Sequence, residues 1–321
     1  MRNNIRFRLG DLGLGAASLG NLYREITDDD AVSVVDAMWA GGVRYFDTAP
    51  HYGLGLSERR LGAALARYPR EEYILSTKVG RVLEPHPGGA GTADTEGFAV
   101  EATSRRRWDF TAAGVRESLD QSLDRLGLER IDMVYLHDPE DHLNIAIDDA
   151  LPALVELREQ GLVSAIGIGS KDTTAVTRLI ETGQIDVAML AGRYTLLEQP
   201  AATDVLPAAL LHDVAIVAVG VYNSGILAKP RPDPLSTYDY GAIPPDVFAR
   251  AVRIAAVCGE HGVDLPHAAL HFPLRHAAVA NVTVGVGRVG HVPSTLRYMA
   301  SPVPDSLWDH LSAEALIPGA V

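Results

Sequence analysis

The sequence has 321 residues, of which 47% are hydrophobic and 21% are charged, and its formal net charge is −13. This balance is typical of a globular protein with a large core, and the acidic charge argues against binding to nucleic acid or to a membrane surface. No apolar run approaches the roughly 20 residues that span a bilayer, and the N-terminus lacks the apolar stretch of a signal peptide. We therefore expect a cytoplasmic protein. The single cysteine, Cys258, excludes an intrachain disulfide, and we interpret it as a core residue.

Short apolar segments of buried-strand length recur along the chain and alternate with longer helical patterns. The weakest of them, AASLG at 16–20, would be the first strand. The others are VRYFDTA (43–49), YILSTK (73–78), DMVYLH (132–137), SAIGIGS (164–170), DVAML (186–190), VAIVAVG (214–220) and NVTVGVG (281–287). Strands and helices in this alternating order predict parallel strands joined by right-handed crossovers.

The helical segments carry start and stop signals. One begins with the cap residue Thr27 and continues with three aspartates, where the helix dipole favours negative charge. Two others, at 111–127 and 148–161, place apolar side chains on one face and end at a glycine. These signals predict helices between the strands.

Eight such strands predict a (β/α)8 barrel, with a doubly wound open sheet as the alternative. No linker divides the chain, so we expect residues 1–321 to form a single barrel domain. The opening IRFRLGDLGLG, with Gly10 and Gly13, predicts a short N-terminal β-hairpin ahead of the barrel. Two segments, 79–110 and 221–245, are too long for plain connections. Both follow strands, which in a barrel places them on the C-terminal face where active sites are built.

Four side chains suited to acid–base chemistry lie at or just beyond the ends of these strands. Asp47 is near the end of one strand, Lys78 and His137 each end another, and Tyr52 follows Asp47 on a loop. Taken singly, each has a structural interpretation: Asp47 as a turn residue, Lys78 as a lysine that reaches solvent and His137 as a hydrogen-bonded core histidine. Because barrel strands end on one face, all four converge there. We predict that they form one catalytic site.

The sequence resembles the aldo-keto reductases at this point. The matching stretches are GGVRYFDTAPHYGLGLSERRLG, ILSTK, VRESLDQSLDRLGLERIDMVYLHDPE and GLVSAIGIGS. Within that family, LHDPED, AGRYTLLEQ and VYNSGIL look like the aldose 1-dehydrogenase branch, which includes enzymes acting on L-fucose, L-galactose and D-threo-aldoses and relatives that oxidise pyridoxal. The resemblance implies an NAD(P)-dependent oxidoreductase that passes a hydride between nicotinamide and a carbonyl or carbinol carbon.

The resemblance also implies a role for each of the four residues. Tyr52 would exchange the proton of the substrate oxygen, assisted by the cation of Lys78, which Asp47 holds charged and oriented. His137 would hydrogen-bond that oxygen and stabilise the charge that develops on it.

The most specific expectation for function is oxidation of an aldose, such as L-fucose or a D-threo-aldose, at C1 to its lactone. A pyridoxal 4-dehydrogenase or a general aldehyde or ketone reductase is the alternative within the enzyme class. A nucleotide-sensing regulatory subunit is the alternative from another class. In each case we expect a small-molecule ligand and no metal, and nothing in the sequence identifies a protein partner.

The cofactor interpretation also rests on the resemblance. The glycines of GDLGLGAASLG lack the βαβ context of a Rossmann fingerprint, whereas the resemblance implies a dinucleotide extended across the barrel mouth. Ser170 would bind the nicotinamide carboxamide, and Gly285 and Arg288 would approach the adenosine end. The pyrophosphate would contact Tyr222, Asn223, Ser224, Gly225 and Leu227.

Some positions depart from the family pattern around the cofactor. They are Lys171, Ala191 and Val219, where the family often has asparagine, glutamine and an aromatic residue. Gly287 occupies one position where a cation would bind the 2′-phosphate of NADP. The sequence therefore leaves NAD or NADP open, with a slight preference for NAD.

On the substrate side, Tyr23, Trp108 and Asp138 lie on segments that should reach the mouth. Asp138 has two readings, as a ligand for sugar hydroxyls and as a turn residue before a proline. Trp108 either lines the substrate pocket or anchors the long loop. We interpret the arginines at 105–107 as a solvated face.

Overall fold

A computed structural model describes residues 9–239 and 241–318 of the chain. In chain order the described strands are β1 (Leu12–Gly15), β2 (Tyr45–Asp47), β3 (Ile74–Val79), β4 (Arg81–Pro85), β5 (Ser104–Trp108), β6 (Ile131–His137), β7 (Val163–Ser170), β8 (Val187–Ala191), β9 (Ala215–Val219), β10 (Thr237–Tyr238), β11 (Gly241–Ala242) and β12 (Val279–Gly285). Eight of them close a parallel barrel in the order β1-β12-β9-β8-β7-β6-β3-β2. The predicted (β/α)8 barrel is therefore confirmed, and the open sheet is excluded.

The α-helices cover the outside of the barrel and the segments at its ends. They are Asp28–Ala40, Leu56–Leu65, Ala112–Leu126, Leu143–Ile145, Leu151–Glu159, Thr173–Glu181, Val205–Leu211, Pro245–Glu260, Leu265–His271, Val292–Ala300 and Asp305–Ala313. The predicted start signal at Thr27 is confirmed, because its side chain accepts the Asp30 N–H and the Asp30 carboxylate accepts the Thr27 N–H, each at 3.1 Å. Gly127 ends its helix with φ +68°.

The prediction for the first strand is wrong. The segment Ala16–Gly20 is a 3-10 turn, and the strand is the preceding Leu12–Gly15. That strand pairs in parallel with β12 on one side and with β2 on the other, so it has no free edge for a hairpin partner. The expected hairpin is therefore wrong for these residues, and its first arm falls on residues 1–8, outside the described residues.

Side chains alternate along β2, β3 and β6, and this alternation decides which of them point into the barrel. Tyr45, Met133 and Tyr135 point inward and belong to an apolar cluster that fills the interior, whereas Phe46 and Leu136 pack outward against the helices. The same alternation turns Asp47, Lys78 and His137 inward at the C-terminal ends of these strands.

Both long segments contain strands of their own. In the first, β4 and β5 form a separate antiparallel pair with Arg81 opposite Trp108, which we call the arm (residues 81–108). In the second, β10 and β11 form a shorter pair. Cys258 is fully buried in the core, as predicted. Within 9–239 and 241–318, the helices are too short or too polar to cross a membrane.

Replacement of Gly62 by alanine tests the packing of the helix that follows the Tyr52 loop. A Cβ at Gly62 would lie 2.4 Å from the backbone oxygen of Leu126, which has no freedom to move away. We expect Gly62→Ala to lower the free energy of unfolding by about 1–3 kcal/mol, measured by urea denaturation. The matched control is Gly259→Ala, since nothing lies within 4 Å of a Cβ at that helical position. The control should stabilise by up to about 1 kcal/mol, and equal effects of both changes would contradict the packing.

Candidate active site

A buried ion pair lies at the C-terminal end of the barrel. Asp47 ends β2 and Lys78 lies near the end of the neighbouring β3, and both are turned inward and almost inaccessible to solvent. The ammonium Nζ of Lys78 lies 2.6 Å from Oδ2 of Asp47 and also donates to the carbonyl of Thr48 at 2.9 Å. Ser76 donates to Oδ1 of Asp47 at 2.6 Å. Each oxygen of the carboxylate therefore has a donor, which holds the pair in fixed geometry.

The charge state of this pair follows from its surroundings. Burial by itself would lower the pKa of Lys78, but the charge of Asp47 and the neighbouring Tyr52 outweigh burial and raise that pKa. Lys78 is therefore a cation at neutral pH. Burial raises the pKa of the Asp47 carboxyl, while Lys78 and Ser76 oppose the rise by stabilising the carboxylate.

Tyr52 lies on the loop after β2, directly beside this pair. Its ring centroid is 4.7 Å from Nζ of Lys78 and 5.9 Å from the ring of His137, which is perpendicular to it. Burial raises the pKa of the Tyr52 phenol, and the Lys78 cation opposes that rise. The structure thus brings together all four residues that the sequence singled out.

His137 ends β6 and is nearly buried. Burial, together with the cations Arg81 and Lys78, lowers the pKa of its imidazole well below the ordinary range. His137 is therefore neutral, and a neutral imidazole can donate one hydrogen bond without bringing a charge. Within the described part of the chain, its Nδ1 is buried and has no hydrogen-bond partner.

The loop that carries Tyr52 is anchored by buried polar residues that sequence reasoning missed. Ser57 donates to the carbonyl of Ala16 at 2.7 Å, which fixes the start of the following helix. Glu58 is fully buried and accepts Thr77 Oγ1 at 2.7 Å and Arg125 Nε at 2.6 Å. Thr77 precedes Lys78, so this network ties the loop to the strand of the lysine. In the sequence, a carboxylate in the first turn of a helix is explained by its favourable interaction with the helix dipole. Nothing in the sequence therefore indicates that Glu58 also anchors the loop.

His51 is a second histidine that the sequence analysis did not single out. Its ring packs edge-on against His137, with centroids 5.6 Å apart, and against Phe98 at 5.2 Å. Burial and the nearby cations Arg81 and Arg106 lower its pKa to about 2. The backbone carbonyl of His51 accepts Arg106 Nη2 at 2.9 Å. The site therefore contains two neutral imidazoles side by side.

The interpretation of the arginines at 105–107 as a solvated face is wrong for Arg106. Its side chain is 9% exposed and forms an ion pair with Asp94, itself 5% exposed. The other two arginines are more exposed and share Glu84. The Arg106–Asp94 pair joins two parts of the arm. Because Arg106 also bonds to the carbonyl of His51, it helps to hold the loop just before Tyr52.

The three expected substrate residues differ in their placement. Asp138 lies beside His137, with its Oδ2 3.6 Å from the imidazole Nε2, and forms an ion pair with Arg81. Trp108 lies on the arm, half-exposed, under the Arg81 guanidinium. Tyr23 is 66% exposed, and its backbone N–H donates to the carbonyl of Gly97, which places it beside the arm.

The other half of the barrel mouth is lined by small side chains. The ends of β7, β8, β9 and β12 carry Ser170, Ala191, Val219 and Gly285, of which the glycine is exposed. Small side chains at these four neighbouring strand ends are compatible with a planar ring bound at the rim. Ser170 Oγ donates to Glu140 at 2.9 Å and accepts the Asp172 N–H at 3.0 Å, so one lone pair of its oxygen is left to accept from a carboxamide.

The segment after β9 fits the expected pyrophosphate contacts only in part. Asn223 and Ser224 have left-handed backbone conformations, with φ of +46° and +57°, and Gly225 follows with φ +103°. Asn223 Oδ1 is buried without a hydrogen-bond partner among the described residues, and Tyr222 is partly buried beside it. The side chain of Leu227 is fully buried in the core, so only its backbone is left for the predicted pyrophosphate contact, which stays a prediction.

Cations surround this half of the mouth. Lys171 and Arg193 both pair with Asp239, at 3.5 and 2.9 Å. Arg24 donates to the carbonyl of Gly287, next to the exposed Arg288. The sequence analysis missed Arg24, which is distant in the chain from that segment. Small rim residues, an unpartnered buried amide oxygen and local positive charge fit a dinucleotide with a flat ring and two phosphates.

Comparisons with known proteins agree with this arrangement. The model of the Aldo/keto reductase family matches residues 11–313. A D-threo-aldose 1-dehydrogenase from Pseudomonas sp is 50% identical over 310 residues, covering 96% of this chain and 94% of the relative. A pyridoxal 4-dehydrogenase from Microbacterium luteolum is 36% identical over 323 residues, covering 95% and 94%. The holo form of an aldo-keto reductase from Bacillus halodurans has a TM-score of 0.74 and 26% identity, covering 97% of this chain and 93% of that chain.

These matches identify the class of protein. It is an NAD(P)-dependent oxidoreductase built on a closed barrel. The chain belongs to the aldo/keto reductase family. The prediction of an enzyme from this family is thereby confirmed, while the roles of individual residues stay predictions.

The buried neutral state of His51 predicts how stability depends on pH. Unfolded His51 binds a proton near its ordinary pKa of 6.5, whereas the folded protein does not until about pH 2. The unfolded state therefore binds more protons, and stability falls as the pH falls below 6.5. In His51→Gln, we expect the slope of unfolding free energy between about pH 6 and pH 4 to be smaller by up to about 1.4 kcal/mol per pH unit.

Chemical denaturation at several pH values measures this slope. The matched control is His291→Gln, which removes an exposed imidazole of the same chain. The control should keep the wild-type slope. A wild-type slope in His51→Gln would show that His51 titrates in the folded protein.

Proposed function

We propose that the protein is an aldose 1-dehydrogenase, which oxidises a sugar such as L-fucose or a D-threo-aldose at C1 to the lactone. The observation that carries the proposal is the buried Lys78–Asp47 pair with the phenol of Tyr52 beside it. The choice of an aldose is supported by the 50% identity to a D-threo-aldose 1-dehydrogenase over nearly the full length of both chains.

In this proposal Tyr52 is the group that takes the proton of the C1 hydroxyl. A buried phenol holds its proton too tightly to act alone, because burial raises its pKa. The Lys78 cation offsets this by stabilising the tyrosinate, and Asp47 keeps Lys78 charged and in place. In the reductive direction the same phenol returns the proton.

His137 would orient the reacting oxygen. As a neutral imidazole at the base of the mouth it can donate a hydrogen bond to that oxygen and stabilise its developing charge. A charged imidazole would instead repel Lys78, so the nearby cations that keep His137 neutral support the role. The redox chemistry would be supplied by a nicotinamide bound at the rim, as the acceptor of the hydride from C1.

We infer that the cofactor is held along the rim of small residues. Ser170 would accept from the carboxamide, Asn223 to Gly225 would face the pyrophosphate, and Gly285 and Arg288 would lie at the adenosine end. NAD is favoured over NADP because Gly287 offers no side-chain cation to a 2′-phosphate. On this argument NADP should be used with the lower kcat/KM, whereas equal values would show that Arg24, which donates to the Gly287 carbonyl, supplies the missing cation.

Removal of the Tyr52 hydroxyl tests the proton transfer. We expect Tyr52→Phe to lower kcat for aldose oxidation by about 10²–10⁴-fold, since that is the usual contribution of a positioned acid–base group. Cofactor affinity, measured by fluorescence titration, should change little. The matched control is Tyr68→Phe, whose hydroxyl donates to Asp36 away from the mouth. Activity near wild type in Tyr52→Phe would refute the assignment.

A substrate panel tests the choice of reaction. The purified protein is incubated with NAD or NADP and with L-fucose, L-galactose, D-arabinose or pyridoxal, and reduced cofactor is followed by absorbance. Turnover of the aldoses with lactone as product supports the proposal. Turnover of pyridoxal alone would favour the second relative's reaction. Cofactor binding without turnover of any substrate would favour a regulatory role.

A further inference from the structure

A second ion pair lies next to the proposed catalytic residues. Its cation helps to keep His137 neutral, but the pair also contains a partly exposed carboxylate that the chemistry described above does not use. Arg81 begins the arm two residues after β3, and its guanidinium pairs with Asp138, the residue that follows His137. The guanidinium lies 4.2 Å from the ring centroid of Trp108, which faces it across the arm. The pair therefore joins the arm to the strand end that carries His137.

Asp138 places its carboxylate between the proposed site and solvent. Its Oδ2 lies 3.6 Å from Nε2 of His137, and its side chain is 33% exposed. The backbone has φ +45°, and its N–H donates to the carbonyl of Gly169 at 2.9 Å. This left-handed conformation is one that aspartate adopts more readily than most residues, and it turns the side chain towards His137.

The arrangement contributes little to stability. Arg81 buries almost its whole side chain, and its Nε is buried without a partner among the described residues. Burial of an incompletely bonded guanidinium costs free energy that a partly exposed ion pair does not recover. Stability therefore does not account for the arrangement, which is consistent with a role in binding a ligand.

The chemistry of the pair fits a sugar. A hydroxyl group both donates and accepts a hydrogen bond, and the pair presents a carboxylate acceptor and a guanidinium donor side by side. The exposed part of the Trp108 ring offers an apolar face for the C–H groups of the same sugar. If the C1 oxygen lies at His137, the next hydroxyl along the sugar lies toward Asp138.

We propose that Arg81 and Asp138 determine sugar specificity by binding the C2 hydroxyl of the aldose, with Trp108 packing against the sugar ring. This inference rests on the proposed aldose oxidation. It adds residues that recognise the substrate away from the reacting carbon. The threo or erythro relation of C2 to C3 would then be distinguished at this pair.

The test compares two sugars that differ only at C2. D-Arabinose carries the C2 hydroxyl and 2-deoxy-D-ribose lacks it. The wild-type enzyme should oxidise D-arabinose with the higher kcat/KM. In Arg81→Gln and in Asp138→Asn, we expect the ratio of the two kcat/KM values to fall roughly ten- to hundredfold, as for the loss of a charged hydrogen bond.

Two features of the design keep the result interpretable. Asn accepts a left-handed backbone, so Asp138→Asn removes the charge without adding strain. Arg105→Gln, which removes an exposed arginine of the same arm, should leave both kcat/KM values at the wild-type level. Circular dichroism checks that each variant is folded.

The outcomes separate this inference from the proposed function. An equal loss with both sugars would show that the pair positions His137 or Tyr52, and it would overturn the inference alone. An unchanged ratio in both variants would overturn it as well. A wild-type enzyme that oxidises no aldose would refute the proposed function, and the inference would fall with it.

Discussion

The buried pair of Lys78 and Asp47 is the constraint on which the rest of the structure depends. Two opposite charges at the bottom of a barrel mouth lose their hydration, which costs free energy. Their mutual attraction offsets this cost only when the geometry is fixed and the remaining hydrogen-bonding atoms have partners. Closure of the barrel supplies the fixed geometry, because β2 and β3 are neighbours with Asp47 in register with Ser76. Ser76 and the Thr48 carbonyl supply the remaining partners. The inward tyrosines beneath them continue the network, since Tyr45 bonds to both Ser76 and Tyr135.

Around this pair the protein concentrates cations beside neutral imidazoles. Arg81 and Arg106 each have a carboxylate partner, and both help to keep His51 and His137 uncharged. A mouth with ion-paired cations and neutral hydrogen-bond donors can stabilise negative charge on a bound oxygen. It also suits an anionic cofactor although the net charge of the whole chain is −13. Local arrangement, and not the total charge, therefore decides what the mouth attracts.

Much of the fold and the proximity of the four residues could be predicted because their signals are local. Strand ends, the Thr27 cap and the Gly127 stop depend on a few neighbouring residues, and barrel geometry then brings the ends together. The first strand could not be predicted, since LGLG and AASLG are both short and apolar and only pairing with β12 distinguishes them. Arg106 and Glu58 were missed because their partners are distant in the chain or lie on another element. The burial of the Leu227 side chain was also not predicted, because a segment can line a mouth with some residues while its next residue fills the core.

The arm has a consequence for how such an enzyme diversifies. Its strands pair with each other and form a sheet separate from the barrel, and they carry Arg81 and Trp108, while the Lys78–Asp47 pair belongs to the barrel itself. Mutation or replacement of the arm can therefore alter which molecules are accepted without disturbing the hydrogen bonds that close the barrel. Such changes preserve the reaction only where Arg106 and Arg81 are retained, because these two arm residues hold the His51 carbonyl and help to keep His137 neutral.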